Sequence, residues 1–286
     1  MVRFINGFNR LFGLLFAALL ALTGGLNRAF SGDVYPWQSE TDVVLAESLL
    51  RAQGVTTDGS AWIFSGRAAL QRVDIATGKT EAVNLRAIPD PLRTRFGVKH
   101  IGGVSAAEGK LYVPMEDSKA WRHPLIAVFD AVTLEYTGVY GLLDSVRHPH
   151  GVPWVSADAA HGVLYTGDGR NYNEIYIYDL ASFTYIGAIA LSEPIVKIQG
   201  GEVRGGLLYV AANDATRAVY TVDTATGAVT KLFDRILSQS DRIGNFGGEG
   251  EDLTLLPLPD GTAIHTLQTG ATFLDVTLRH YAYELT

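Results

Sequence analysis

The sequence QGVTTDGSAWIFSG at residues 53–66 sets the pattern for most of the chain. A polar residue and a glycine open it, a short strand-like run leads to a turn, and an apolar strand follows. The same plan returns at residues 100–117, 150–169, 199–214 and 249–268. The glycines of the five openings are 49, 48, 49 and 50 residues apart, and they are Gly54, Gly103, Gly151, Gly200 and Gly250. A period this regular indicates a repeat architecture.

Each repeat continues with two more strand-like stretches. The third stretch ends at an aspartate in four of the repeats, where we expect Asx turns, at Asp74, Asp130, Asp179 and Asp223. Ala282 takes that place in the last repeat. Four short strands per unit with Gly and Asp turns are typical of a β-propeller blade. The sequence therefore predicts an all-β fold, a propeller with five blades, with six blades as the alternative.

The repeats divide the chain into two parts. Residues 33–286 form the predicted propeller domain, with blades that start near residues 53, 100, 150, 199 and 249. Residues 33–52 are too short for a further blade. We expect them to supply one strand that closes the ring against the last blade, or a cap under it.

Residues 1–32 form a separate N-terminal segment. Between Arg10 and Arg28 lie 17 uncharged residues, Leu11 to Asn27, which would span roughly 25 Å as one apolar helix. We expect a retained membrane anchor; the alternative is a secretory signal cleaved near Ala29-Phe30-Ser31. Because positive charge before the span stays inside, we expect the propeller on the periplasmic or extracytoplasmic side, or secreted if the signal is cleaved.

Charge and composition exclude several classes of protein. The 286 residues carry a net charge of −7, and the first 32 hold three arginines and no acid, so the remainder carries −10. A surface this acidic is unsuited to nucleic acid, because it cannot neutralise phosphates over a wide face. The chain has no cysteine, which excludes disulfides, thiolate metal sites and a cysteine nucleophile.

The repeat also predicts where a binding site lies. In a propeller the first strand of every blade lines the central channel, so the residues that open the repeats converge on one axis. We expect a ligand-binding ring there, made of Gln53, His100, His150, Gln199 and Glu249. The ends of the second strands add a further set near the same mouth, Ser65, Glu116, Asp117, Asp168, Asn213, Asp214 and Gln268.

Two metal sites are compatible with these residue types. Carboxylate and amide oxygens suit a divalent cation, with Ca²⁺ preferred, and the candidate ligands are Glu116, Asp168, Asn213 and Glu249. His100 and His150 together with Glu249 would suit Zn²⁺ or Fe²⁺. The alternative is a set of polar side chains that bond to one another and to strand ends. In the sequence HPH, only His150 is in register with the ring, and not His148.

Three of the openings carry a resemblance to known proteins. QGVTTDG from Gln53, HIGGVSAAEGKLYVPME from His100 and IQGG from Ile198 resemble the blades of a group of exported bacterial β-propeller proteins. The layout is more distantly similar to the SMP-30/gluconolactonase and strictosidine-synthase-like propellers. That resemblance implies an axial divalent cation that activates water or a lactone, although Gln and His stand here at positions where those proteins mainly use Glu, Asn and Asp.

Two functions follow as hypotheses. The first is a membrane-tethered propeller that binds a ligand or a partner protein, for example as an accessory subunit of a respiratory or photosynthetic membrane complex. The second is a metal-dependent hydrolase or lactonase, in which the metal acts as a Lewis acid and His100 or His150 as a general base.

Overall fold

The computed structural model describes residues 37–43, 49–117, 120–235, 249–269 and 276–285. The N-terminal segment 1–32, with the apolar helix expected there, lies outside these ranges. Within them the chain forms 21 strands in five sheets. The fold is a five-bladed β-propeller, as the period predicts.

Each blade is an antiparallel sheet whose strands run outward in chain order. The first blade consists of β2 (Gly54–Thr57), β3 (Ala61–Ser65), β4 (Leu70–Asp74) and β5 (Thr80–Asn84). The second consists of β6 (His100–Ile101), β7 (Ser105–Ala107), β8 (Lys110–Glu116), β9 (Leu125–Asp130) and β10 (Tyr136–Leu142). Its innermost strand is in two pieces, because β6 and β7 both pair with β8.

The remaining blades repeat this order. The third consists of β11 (Val155–Asp158), β12 (Val163–Thr166), β13 (Glu174–Asp179) and β14 (Tyr185–Ala190). The fourth consists of β15 (Ile198–Arg204), β16 (Leu207–Ala212), β17 (Val219–Asp223) and β18 (Val229–Phe233). The fifth has β19 (Gly250–Leu255), β20 (Thr262–Thr269) and β21 (Val276–Ala282) from its own repeat.

The fourth strand of the last blade comes from the start of the chain. Strand β1 (Trp37–Val43) pairs antiparallel with β21, with Thr41 opposite Leu278 and Val43 opposite Val276. This confirms the prediction that residues 33–52 supply a closing strand. Closure joins the first described strand to the last one, so the fifth sheet holds the two ends of the ring together.

Apolar side chains fill the spaces between neighbouring blades. Five clusters of buried residues lie at the five blade interfaces of the described chain. Between the first two blades, a short helix, α1 (Asp90–Phe96), adds the buried side chains of Leu92 and Phe96. Gly97 caps the C-terminal end of α1, and its φ of +70° is the left-handed conformation that glycine adopts without strain. Blade-to-blade packing of this kind replaces a single central core.

The aspartates that end the third strands make the predicted Asx turns. Asp74 Oδ1 accepts from the amide of Thr77 at 2.7 Å, and Asp130 Oδ1 accepts from the amide of Thr133 at 2.7 Å. The equivalent bonds from Ser182 to Asp179 and from Thr226 to Asp223 are 2.7 and 2.8 Å long. The hydroxyl of the same Thr or Ser residue also donates to each aspartate, and the hydroxyl and amide bonds together stabilise the ionised carboxylate, so that the pKa of all four side chains lies below its usual value.

A ladder of hydrogen bonds connects the innermost strands around the axis. The hydroxyl of Thr56 accepts from the amide of Ala106 at 3.0 Å, which links the first blade to the second. The same bond recurs from Ala157 to Ser105 and from Val203 to Ser156, both at 3.0 Å, and from Leu255 to Glu202 at 3.1 Å. Thr56, Ser105, Ser156, Glu202 and Thr254 are therefore equivalent.

This ladder corrects the alignment of the repeats by glycine. Two positions before the ladder residues stand Gly54, Gly103, Trp154, Gly200 and Asp252. Gly151 and Gly250 are thus out of register with the other three opening glycines. In the third blade, the opening Gly151 lies before the start of β11 at Val155. Gly151 adopts a φ of +89°, and Pro153 stands between it and the strand.

Candidate functional site

A cavity of about 500 Å³ lies at the end of the axis where the innermost strands begin. It is lined by the five residues that open the repeats, Gln53, His100, His150, Gln199 and Glu249. Residues that are about 50 positions apart in the chain meet here, because each blade contributes the start of its inner strand. Glu116 and Asn213, two of the residues expected at the ends of the second strands, also line this cavity.

Three of these residues form a connected chain of contacts. His100 lies opposite Glu116 in the pairing of β6 with β8. Its Nε2 is 2.6 Å from Gln53 Oε1, and its Nδ1 is 3.3 Å from Glu116 Oε1. An amide oxygen can only accept, so Nε2 of His100 is the donor to Gln53. Glu116 Oε2 in turn accepts from the amide of Val152 at 3.2 Å, which connects the second blade to the third.

His150 has a different partner, Asp168. The amide of His150 donates to Asp168 Oδ2 at 2.7 Å, and its Nδ1 lies 3.0 Å from Asp168 Oδ1. Oδ1 also accepts from the amides of Arg170 and Asn171, at 2.9 and 3.0 Å. The Asp168 side chain is only 2% exposed, whereas that of His150 is 35% exposed. Asp168 therefore holds the histidine and the following turn, while the imidazole faces the cavity.

The fourth and fifth blades complete the wall. Asn213 Oδ1 accepts from the amide of Gly250 at 3.1 Å, which fixes the start of β19. Glu249 is exposed, and its amide donates to the hydroxyl of Thr269 at 2.7 Å. Two basic residues, Arg170 and Lys197, and one aromatic residue, Trp121, are further lining residues. The ring of Trp121 packs edge-on against His150 at a centroid distance of 5.7 Å.

Asp252 lies on the axis beside this cavity, and sequence analysis missed it. Its Oδ2 accepts from the amides of Val55 at 3.2 Å and Val104 at 3.1 Å, which belong to the first two blades. A Cβ on Gly103 would lie 2.9 Å from this same oxygen. Asp252 is 1% exposed, and burial raises the pKa of its carboxyl well above the usual range. The signal in the sequence was an acid at a position where three other blades have glycine.

Glu251 is a second buried acid that the sequence analysis missed. It lines the cavity and is 4% exposed. Burial, reinforced by the charge of Glu249, raises the pKa of its carboxyl well above the usual range, although the positive charges of Arg235 and Arg217 act in the opposite direction. Burial also lowers the pKa of Arg235 to about 10. Acidic and basic groups therefore lie together behind the wall formed by the fifth blade.

Four other residues from the ends of the second strands have structural roles. Ser65 donates to the carbonyl of Gly102 at 2.8 Å, which joins the first two blades. Asp117 accepts from the amide of Arg122 at 3.1 Å, and Asp214 accepts from the Tyr220 hydroxyl at 2.8 Å. Gln268 is 2% exposed in β20. These four residues do not line the axial cavity.

His148 is a core residue, in agreement with its position out of register. It is fully buried, with Nε2 2.9 Å from the Tyr178 hydroxyl and Nδ1 3.2 Å from the carbonyl of Gly167. Burial lowers its pKa to about 4, so it is neutral at physiological pH. His265 and His280 form another buried pair within the fifth blade, with their Nδ1 atoms 2.8 Å apart.

The proposed cation ligands do not all face the cavity. Glu116, Asn213 and Glu249 line it, whereas Asp168 lies at an adjoining surface depression with Arg147 and Tyr176. Asp168 already accepts four protein hydrogen bonds, three at Oδ1 and one at Oδ2. Within the described ranges, no group of three or more His, Asp or Glu residues is arranged to hold a metal ion. Asp168 thus does not fit the donor set that the sequence suggested.

Comparison with known proteins bears on the fold. No family model and no curated protein matches the chain. Among solved structures, the chain is similar to the glutaminyl cyclase of Myxococcus xanthus, with a TM-score of 0.57 and 13% identity over 86% of this chain and 96% of that one. The propeller fold is shared. At this identity, the similarity extends to the fold and not to the activity.

A second solved structure is more remote. The hydrazine synthase of Kuenenia stuttgartiensis matches with a TM-score of 0.43 and 17% identity, over 77% of this chain and 56% of that one.

In the part of the chain that the structure describes, no helix is long and apolar enough to cross a membrane.

Proposed function

We propose that the axial cavity binds a small polar molecule, so that the chain acts as a ligand-binding module. The observation that carries this proposal is the convergence of five residues, one from each repeat, on a single cavity of about 500 Å³. That volume lies within the range of small-molecule sites, roughly 300–1,000 Å³. Asp252 lies on the axis beside it and accepts from the amides of the first two blades.

The chemistry of the wall supports a polar ligand. Its amides, imidazoles, carboxylates and basic groups offer both donors and acceptors, and they come from Gln53, His150, Gln199, Glu249 and Arg170. A ligand that uses several of them would touch more than one blade. Its binding energy would therefore depend on the closed ring.

The experiment is a thermal-shift screen with small polar molecules that include amino acids, sugars and a peptide with N-terminal glutamine. The peptide is chosen because the similar propeller is a glutaminyl cyclase, and it is also assayed for cyclisation. A ligand at 100 times its Kd stabilises the folded state by about 2.7 kcal/mol. We expect Arg170→Ala to weaken the response, and Arg86→Ala, at an exposed position that does not line the cavity, to leave it unchanged. No response from any compound would contradict the proposal.

The second candidate is a metal-dependent hydrolase or lactonase. The observation in its favour is that His100 and His150, each in contact with a carboxylate, face the same cavity. Glu116, Asn213 and Glu249 would be the donors for Ca²⁺, since Asp168 does not fit. Two of them would have to share oxygens that now accept from Val152 and Gly250. On this hypothesis Ca²⁺ raises the Tm of the wild type and not of Glu249→Gln; the absence of any rise with Ca²⁺ or Zn²⁺ would contradict it.

We also propose that residues 1–32 tether the propeller to the outer side of the cell membrane, where it serves as an accessory subunit of a membrane complex. The apolar run between Arg10 and Arg28 supports this proposal, as does the resemblance to exported propellers. Mild detergent extraction of the full chain from its native membrane should yield it together with membrane partners. Recovery as a free monomer in the soluble fraction would contradict the tether and the partner.

A further inference from the structure

Asp168 and His150 form a pair in which one residue is fixed and the other faces the cavity. The carboxylate accepts four hydrogen bonds, at 2.7 to 3.0 Å, and its side chain is 2% exposed. Two of these bonds come from His150 itself, from its backbone amide and its Nδ1. The position and the ring orientation of His150 are thus set by the same carboxylate.

This arrangement also fixes the tautomer of the imidazole. A carboxylate accepts, so the proton of a neutral His150 lies on Nδ1, and Nε2 carries a lone pair. Within the described chain, Nε2 has no hydrogen-bond partner, and the residue lines the cavity. The edge-on contact with Trp121 supports the ring from the side.

His100 differs from His150 in this respect. Its Nε2 donates to Gln53, and its Nδ1 lies 3.3 Å from Glu116. The Nδ1 of His100 is therefore buried against Glu116 without a hydrogen-bond partner in the described residues, and its Nε2 is already used by Gln53. Of these two histidines of the ring, His150 is the one that presents an accepting nitrogen to a ligand.

We propose that His150 is the proton acceptor of the cavity for a ligand that carries an N–H or O–H group, and that Asp168 is its positioning residue. The inference rests on the proposed function, because it requires a ligand in the cavity. The ligand's X–H bond donates to Nε2; when the proton transfers, the X atom keeps the electron pair and His150 becomes an imidazolium. Asp168 then stabilises the positive charge through Nδ1.

The first test measures the tautomer by long-range ¹H–¹⁵N NMR of the histidine rings in the full chain. We expect a protonated Nδ1 and an unprotonated Nε2 for His150 in the wild type, and a shift of the population toward the Nε2–H form in Asp168→Ala, which removes the acceptor of the Nδ1 proton. The chain offers a matched control, since His161 Nδ1 lies 2.8 Å from Asp158 Oδ2 and the His161 side chain is 72% exposed. Asp158→Ala should change His161 and leave His150 as it is.

An Nε2–H tautomer in the wild type would overturn the proposal, and this measurement needs no variant. An unchanged tautomer in a folded Asp168→Ala protein would overturn the role of Asp168.

The second test follows the Nε2 resonance of His150 during titration with three probes. Methylammonium and glycerol supply N–H and O–H donors, whereas tetramethylammonium has the charge without the donor. We expect the first, the second or both to shift Nε2, and tetramethylammonium to leave it unchanged. Equal shifts from the two ammonium ions, or no shift while other compounds bind the cavity, would overturn the accepting role. If no compound binds at all, the proposed function fails together with that role, while the tautomer still decides whether Asp168 positions His150.

Discussion

Asp252 and the glycines around it show how single residues shape the axis. The carboxylate crosses to the first and second blades, and the backbone of Gly200 lies against it from the fourth. A side chain of this size fits on the axis because the equivalent positions Gly103 and Gly200, which lie against it, carry no Cβ. Glycine is therefore needed at these positions to leave space for the Asp252 side chain, and not to make the strands flexible.

This close approach gives a prediction for Gly200→Ala. A Cβ at Gly200 would lie 2.5 Å from the Cα of Asp252, so backbone would have to move. We expect a loss of about 3 kcal/mol in the free energy of unfolding, measured with urea. Gly187→Ala is the matched control, because nothing lies within 4 Å of its Cβ position in β14. A change below about 0.5 kcal/mol at Gly200 would contradict this account of the axis.

Glu202 gives a prediction for pH. Its carboxylate accepts from the hydroxyl of Thr254 at 2.6 Å and from the amide of Leu255, and burial raises its pKa to about 7. Between pH 4.5 and 7 the folded state therefore holds more protons than the unfolded state, and this group's contribution to stability falls as pH rises.

We expect Glu202→Gln to be more stable than the wild type by about 2 kcal/mol at pH 8, because the amide avoids the buried charge. At pH 4.5 the two proteins should differ little. Urea unfolding at both pH values measures this. A variant that loses stability equally at both pH values would show that Glu202 acts through its hydrogen bonds alone.

At the scale of elements, the closure of the ring depends on strand β1. Strand β1 covers the outer edge of β21 and pairs with it from Trp37 to Val43. Without it, the edge of the fifth blade would expose unpaired backbone groups, and the contact between the two ends of the ring would be lost.

Two shortened chains test this closure. A chain that begins at residue 37 keeps β1, whereas one that begins at residue 49 lacks it. Since each lost hydrogen bond costs about 1 kcal/mol, we expect the shorter chain to lose at least about 3 kcal/mol, measured by urea unfolding. Equal stability of the two chains would contradict the role of β1 in closing the ring.

The elements also show what sequence can and cannot predict. The Asx turns at Asp74 and Asp130 were predictable, because each depends on residues within three positions of one another. The register of the inner strands was not, because it is set by bonds between blades, such as the one from Val203 to Ser156. The glycine spacing hid this displacement, since Gly151 keeps the period without occupying the equivalent position.

At the scale of the whole molecule, the repeat predicted which residues meet but not which of them pair. Convergence follows from blade count and strand order, both visible as a period of about 49 residues. The pairing of His150 with Asp168, and of His100 with Gln53 and Glu116, depends on side-chain direction. Periodicity contains no information about that direction, which is why Asp168 was expected to be a metal ligand and not a partner of histidine.

The ring also makes the cavity a property of the whole chain. Gln53 and Glu249 stand nearly 200 residues apart, and they share a wall only because β1 and β21 close the fifth blade beside the first. A ligand that binds in the cavity should therefore affect residues of all five blades over the same range of ligand concentration.

The central claim is that the five repeats build one binding site, and a ¹H–¹⁵N NMR titration of the full chain tests it most directly. The titrant is the compound that gives the largest thermal shift. We predict that the backbone amides of Gln53, His100, His150, Gln199 and Glu249 shift together, with one common Kd. Shifts confined to the outer strands, or different midpoints for the five amides, would contradict a single axial site.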